Sequence, residues 1–203
     1  MINIAIFASG AGSNFQAIVK AIKKGKIPSA QVKLLVCDKP GAYVLKRAKK
    51  AVIKSFLIEL KDFKTKDEYE QKILEELRKE NIELIVLAGY MKIVGNVLLE
   101  AFPNKIINIH PSLCPAFPGM DAEKQALNYG AKFTGCTVHF VTDEGVDTGP
   151  IILQDVVKIE PDEIVESLQN KIHQKEDKIL AETVKLFSQN KLKISGRKVK
   201  ILK

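Results

Sequence analysis

The sequence predicts an α/β protein built around a mostly parallel sheet with helices on both faces. Two observations carry that prediction. Unbroken apolar segments of five to seven residues (INIAIFA, VKLLVC, IELIVLA and KIINI) recur through the first 110 residues, and helix-patterned segments separate them. A parallel strand covered on both faces reads as a continuous apolar run, whereas a half-exposed strand alternates.

Taken in order, residues 2 to 8, INIAIFA, form the first strand. The turn SGAGSN follows. In FQAIVKAIKKG, Phe15, Ile18, Val19 and Ile22 then fall at helical spacing, and Gly25 suits a C-terminal stop. Residues 32 to 37 form a second strand and residues 41 to 51 a second helix. Residues 66 to 80 are a charged amphipathic helix, and residues 82 to 88 and 105 to 109 are the third and fourth buried strands. After residue 120 the rhythm changes. DAEKQALNYG is a short helix, and TGCTVHFV (134 to 141) and PIILQDVV (150 to 157) are strands around the polar turn TDEGVDTG. A long helix runs from about 162 to 188, and LKISGRKVKI reads as a small hairpin around Ser195 and Gly196. No internal repeat or linker divides the chain. One domain is expected over residues 1–189, followed by a basic tail over residues 190–203.

Composition narrows the function classes. The chain has 203 residues, 46% hydrophobic and 28% charged. That is enough apolar area for a self-sufficient core, with no metal or disulfide staple. Cysteines stand at 37, 114 and 136, an odd number without a C-x-x-C pair. This argues against a disulfide framework or a structural zinc site and fits a reducing cytosol. The N-terminus lacks a basic n-region, so no signal peptide is expected, and no apolar run approaches the roughly 18 residues of a membrane span. The net charge is +8, but lysines mix with glutamates, as in KDFKTKDEYEQK. A solvated surface is therefore preferred to a nucleic-acid face. The densest basic run, KLKISGRKVKILK, lacks the aromatic interleaving of a stacking platform.

Three segments have the makings of a site. In SGAGSN, glycines let the backbone approach a phosphate, and a helix N-terminus offers free N–H groups. Gly12, Ser13 and Asn14 make either a phosphate cradle or a tight turn with Ser13 as N-cap. Neither a dinucleotide fingerprint nor a Walker lysine is present. In INIHPSLCPAFPG, Asn108 and His110 stand two apart on a strand, so both point to one face at its C-terminal end. An amide donor and an imidazole in that position, followed by a rigid Pro-rich turn, suit chemistry at a carbonyl near neutral pH. In HFVTDEGVDTGP, an acidic residue set near a histidine would orient the ring, and the residues alone do not say which of Asp143, Glu144 and Asp147 does so. His139 and the cysteines read as structural. No metal-ligand pattern links the three histidines, and no metal is expected.

IAIFASGAGSN, LAGYMKIV, NIHPSLCPAFPG and HFVTDEGVDTGPII together resemble the folate-dependent formyltransferases. The likeness runs from about residue 2 to 189. SGAGSN at the start of a chain of this length narrows it to the branch acting on glycinamide ribonucleotide. The resemblance implies a seven-stranded formyltransferase fold with a Rossmann-like N-terminal half. It implies formyl transfer from 10-formyltetrahydrofolate, a co-substrate, to the amine of glycinamide ribonucleotide in purine biosynthesis. It implies Asn108, His110 and Asp147 as the catalytic trio, with Asn108 and His110 stabilising a tetrahedral oxyanion and Asp147 assisting proton transfer. Gly12, Ser13 and Asn14 match the family's phosphate loop. Met91, Lys92, Ile93 and Val94 match its folate-pocket segment, and Thr142, Asp143, Glu144, Gly145, Val146 and Asp147 its folate loop, with Asn108 also at the folate. A family arginine aligns with Lys66, which lacks the planar fork. Glu176 and His173 match substrate-contacting positions on the long helix, after which this chain reads EDKILAE where the family more often reads E-H and then Y-P.

The implied partners are small molecules, with neither nucleic acid nor membrane, and the implied state is a monomer or homodimer in the cytoplasm. Two other readings stand beside this one. The first is another formyl-folate enzyme, a hydrolase or a transferase for a different amine. The second is a non-catalytic, Rossmann-like RNA-binding protein, since fold does not dictate function.

Overall fold

In the first strand, Ile4, Ile6 and Ala8 pack into one apolar cluster, and Ala5 and Phe7 into another on the opposite face. That period of two on a strand buried on both sides is the physical content of the run INIAIFA. The computed structural model describes residues 1–202. Its strands are β1 (Ile2–Phe7), β2 (Ala30–Cys37), β3 (Lys54–Leu57), β4 (Leu84–Leu87), β5 (Ile106–His110), β6 (Phe133–Phe140), β7 (Ile151–Lys158), β8 (Leu192–Ser195) and β9 (Lys198–Ile201). Its helices are α1 (Ser13–Lys23), α2 (Tyr43–Ala51), α3 (Lys66–Lys79), α4 (Asn96–Ala101), α5 (Ala122–Tyr129) and α6 (Val165–Ser188).

The strands form one sheet in the order β3-β2-β1-β4-β5-β6-β7-β9-β8. From β3 to β5 every pairing is parallel, while β6 runs antiparallel to both β5 and β7. One face is covered by α1, α2 and α6 through Phe15, Ile18, Val44, Ile172 and Leu180. The other is covered by α3 and α4 through Tyr69, Ile73, Leu77 and Leu98. Each fully buried Ile, Leu or Phe contributes about 1.5–3 kcal/mol, so two such layers can carry a buried polar cluster at the sheet. The chain reverses its winding between β1 and β4. This switch point is where an open parallel sheet forms a crevice, flanked by the loops after those two strands.

The fold class stands, but the sheet has nine strands rather than seven. Strand β3, KSFL, went unpredicted because it is an edge strand with three of its four residues exposed, so it carries no apolar run. The last two strands form a hairpin that joins the sheet through Ile151 and Lys198. Helix α4 also went unpredicted. It has only six residues, too few to show a helical period.

Candidate active site

Strand β5 ends on His110, and its register against β6 sets Asn108 opposite His139 and His110 opposite Thr137. The loop after β6 doubles back and delivers Asp147 between these groups. Asn108 Nδ2 donates to Asp147 Oδ1 at 3.1 Å, and the Gly119 N–H donates to Oδ2 at 2.9 Å. His110 Nδ1 lies 3.2 Å from Oδ2, and His139 Nε2 lies 3.4 Å from Oδ1. Two N–H donors and two imidazole nitrogens therefore converge on one carboxylate whose side chain is only 7% exposed. Burial pushes the Asp147 pKa up, but the His139 hydrogen bond, the Gly119 N–H and the two imidazoles outweigh it and hold it below the ordinary carboxylate value.

His110 is pinned on its other side as well, with Nε2 2.8 Å from the Phe117 carbonyl oxygen. Both ring nitrogens thus face acceptors, and only a doubly protonated imidazole donates to both. Asp147 sits at φ 56°, a left-handed conformation that a non-glycine residue keeps only when its surroundings fix it. Two residues on, Gly149 packs against the Phe140 carbonyl, where an added Cβ would stand 1.8 Å from the oxygen. That contact explains the glycine of D-T-G-P.

His139 is the residue the sequence reading missed. It is no mere packing group, since Nε2 also lies 3.2 Å from Asn108 Nδ2 and Nδ1 donates to the Phe140 carbonyl at 2.8 Å. The one signal was topological: an antiparallel return strand places TVHF directly beside NIH.

At the other end of the crevice, Gly12 is the N-cap of α1, with φ 72°. No side chain caps this helix, so Ser13 is not the N-cap and the first N–H groups are left for an anion. An added Cβ on Gly12 would lie 2.5 Å from Val44, so only glycine fits. Asn14 is buried and its Nδ2 donates to Glu176 Oε2 at 3.3 Å, joining the loop to α6 across 162 residues. Its Oδ1 has no hydrogen-bond partner. His173, half exposed, stands 3.9 Å from the same Glu176 oxygen. Burial pushes the Glu176 pKa up despite His173 and Asn14.

Lys66, Met91, Lys92, Ile93 and Val94 line a cavity of about 320 Å³ with Tyr69, Glu70 and Tyr90. Ser9 Oγ accepts from the Met91 N–H at 2.9 Å and ties this segment to the end of β1. Met91 and Ile93 are 61% and 69% exposed, an apolar lip suited to a flat ring. Lys66 Nζ lies 3.9 Å from Glu70. In the loop over residues 142–147, Val146 is exposed, Thr148 Oγ1 closes onto the Gly145 carbonyl at 3.0 Å, and Glu144 pairs with Arg197. Thr142 is half-buried, with its Oγ1 buried and without a hydrogen-bond partner, and Asp143 beside it is exposed.

Against known proteins, the formyl transferase family model matches residues 2–184. The phosphoribosylglycinamide formyltransferase of Bacillus subtilis is 50% identical over 185 residues, covering 91% of this chain and 94% of that protein. The trifunctional purine biosynthetic protein adenosine-3 of Drosophila melanogaster is 42% identical over 85% of this chain, which spans 13% of that longer protein. Glycinamide ribonucleotide transformylase 1 from Symbiobacterium toebii superposes with a TM-score of 0.97 at 43% identity, covering 100% of this chain and 95% of that one. The Geobacillus kaustophilus structure of the same name gives 0.89 at 50% identity, with 92% and 98% covered. Fold, motif geometry and identity over nearly the whole length agree, and the chain belongs to the formyl transferase family.

Proposed function

We propose that this chain transfers a formyl group from 10-formyltetrahydrofolate to the amine of glycinamide ribonucleotide, a step of purine biosynthesis. The observation that carries the reading is the convergence of Asn108, His110 and Asp147 on one face of the sheet beside the crevice. In the reaction the amine attacks the formyl carbon, a C–N bond forms, and the carbonyl oxygen takes up the electron pair. Asn108 and His110 supply the donors for that oxyanion, a role in which loss of one donor costs about 10²–10³ in turnover. At rest His110 Nε2 donates to the neutral Phe117 carbonyl, and an anionic oxygen outcompetes it because charge-assisted hydrogen bonds are stronger. A proton then passes from the attacking amine to the leaving nitrogen as the C–N bond of the donor breaks. Asp147, kept ionised, holds the imidazole and assists that transfer, with water as the relay.

The substrate phosphate is assigned to the uncapped N–H groups at Gly12, Ser13 and Asn14, and its amine and ribose to Glu176 with His173. The Met91–Val94 wall takes the pteridine side of the donor, with Lys66 toward its carboxylates and residues 142–147 closing over it. No described helix is long and apolar enough to cross a membrane. All three cysteines are free and buried, which suits a reducing cytosol.

The test is a spectrophotometric assay of formyl-donor loss with and without the ribonucleotide. Loss that requires the ribonucleotide supports the transferase. Loss without it assigns the site to hydrolysis, and no loss in either case refutes formyl transfer from this donor.

A further inference from the structure

We propose that Arg197, at the tip of the β8–β9 hairpin, is a positioning residue that holds the loop carrying Asp147 in its working conformation. The proposal rests on the role given to Asp147 above. It concerns a segment outside the family match, which ends at residue 184.

The geometry is a two-point clamp. Arg197 Nη1 donates to Glu144 Oε2 at 2.9 Å, and Nη2 donates to the Thr148 carbonyl at 2.5 Å. These contacts bracket Asp147 from both sides, 53 and 49 residues away in sequence. The bracketed segment needs holding, because Asp147 has a positive φ of 56°. A non-glycine residue in that region reverts unless several contacts over-determine it. The side chain of Asp147 is held by the site itself, whereas Arg197 ties down the loop on either side of it, through the Glu144 carboxylate and the Thr148 carbonyl.

The clamp has a firm base. Leu192, Ile194 and Val199 of the hairpin pack against the main apolar cluster. The Lys191 N–H donates to the Leu186 carbonyl at 2.9 Å and the Leu202 N–H to the Lys191 carbonyl at 2.8 Å, so the hairpin is seated on the end of α6. Arg197 and Glu144 are 66% and 58% exposed, and an exposed ion pair adds little to global stability. Local loop opening needs far less free energy than global unfolding, so the same pair weighs heavily there. The planar guanidinium meets two acceptors at once, and a lysine meets one.

The experiment compares wild type, Arg197→Ala and Arg197→Lys by hydrogen exchange of the residue 142–148 amides and by steady-state kinetics. Arg197→Ala is expected to speed exchange in that loop and to worsen kcat/KM for the formyl donor, each by about three- to fivefold, with the melting temperature unchanged. Arg197→Lys is expected to fall between the two. High salt should erase most of the difference between wild type and Arg197→Ala, as screening weakens an exposed pair. Unchanged exchange in Arg197→Ala overturns the clamp. Loosened exchange with wild-type kinetics also overturns it, because the loop would then be held to no purpose at the site. If wild type shows no transfer at all, the functional reading fails, and the exchange measurement still decides whether Arg197 holds the loop.

Discussion

Asp147 and Glu176 are carboxylates buried to nearly the same depth, with side chains 7% and 5% exposed, yet their pKa values move in opposite directions. Asp147 meets two N–H donors and two imidazole nitrogens and is held below the ordinary carboxylate range. Glu176 has one hydrogen bond, from Asn14 at 3.3 Å, and is pushed up by its burial. Depth therefore does not decide the direction of the shift here; the polar groups around each carboxylate do. The difference separates two jobs. In the proposed reaction, the Asp147 end is completed by the protein and serves bond making. The Glu176 end has acceptor capacity to spare, next to an unpartnered Asn14 oxygen, and on the same proposal it would be completed by the hydroxyls and amine of the substrate.

The most severe way to break this contrast is Asp147→Asn. The amide keeps the shape but offers one acceptor where the carboxylate offers two, and it cannot balance the imidazolium. Turnover is expected to fall about 10²–10³-fold with the circular dichroism spectrum unchanged, and near-wild-type turnover would remove Asp147 from the mechanism. Stability gives a second readout. A carboxylate with a lowered folded pKa stabilises the fold above its unfolded value, near 3.9, and loses that contribution as pH falls through the folded pKa. In urea melts the wild-type advantage over Asp147→Asn should thus hold at neutral pH and vanish in acid.

Glu176→Gln should act on the other end with the opposite sign in stability. A carboxylate with a raised folded pKa stabilises only below its unfolded value, near 4.3, and that contribution is lost as pH rises. At neutral pH the free Gln variant is expected to melt higher than wild type, by a few degrees for each kcal/mol of burial penalty removed. Its KM for the ribonucleotide should rise about 10- to 100-fold, the scale of a lost hydrogen bond to a charged group, with a smaller change in kcat. A lower melting temperature with unchanged KM would make Glu176 a structural group.

The two ends were not equally legible in the sequence. The unbroken apolar runs disclosed the parallel half, because burial on both faces leaves a one-dimensional trace. Asn108 and His110 were legible as a pair because a strand has a period of two. The KSFL strand left no trace, since its residues are exposed at an edge. The union of Asn14 with Glu176 spans 162 residues, and only folding brings them together. The Arg197 contacts and the polar shell of Asp147 are likewise products of register and loop closure, which no local pattern encodes. The family resemblance named Asp147, but it did not reveal what holds it.

The smallest effect, and the finest test of donor count, lies with His139. Its Nδ1 donates to the Phe140 carbonyl, and its Nε2 faces both Asp147 Oδ1 and Asn108 Nδ2. It supplies one of the four contacts on the carboxylate, so His139→Ala should leave three and lower turnover by about three- to tenfold, the worth of one ordinary hydrogen bond. Its hydrogen bond is the largest of the influences that lower the Asp147 pKa. Removing it therefore raises that pKa, and the acid limb of kcat/KM should move to higher pH. His139→Gln restores a neutral donor and should recover part of the rate and part of the shift. An acid limb at the wild-type position in His139→Ala would mean that Asp147 is held by Asn108, His110 and Gly119 alone, and that His139 contributes packing between the strands.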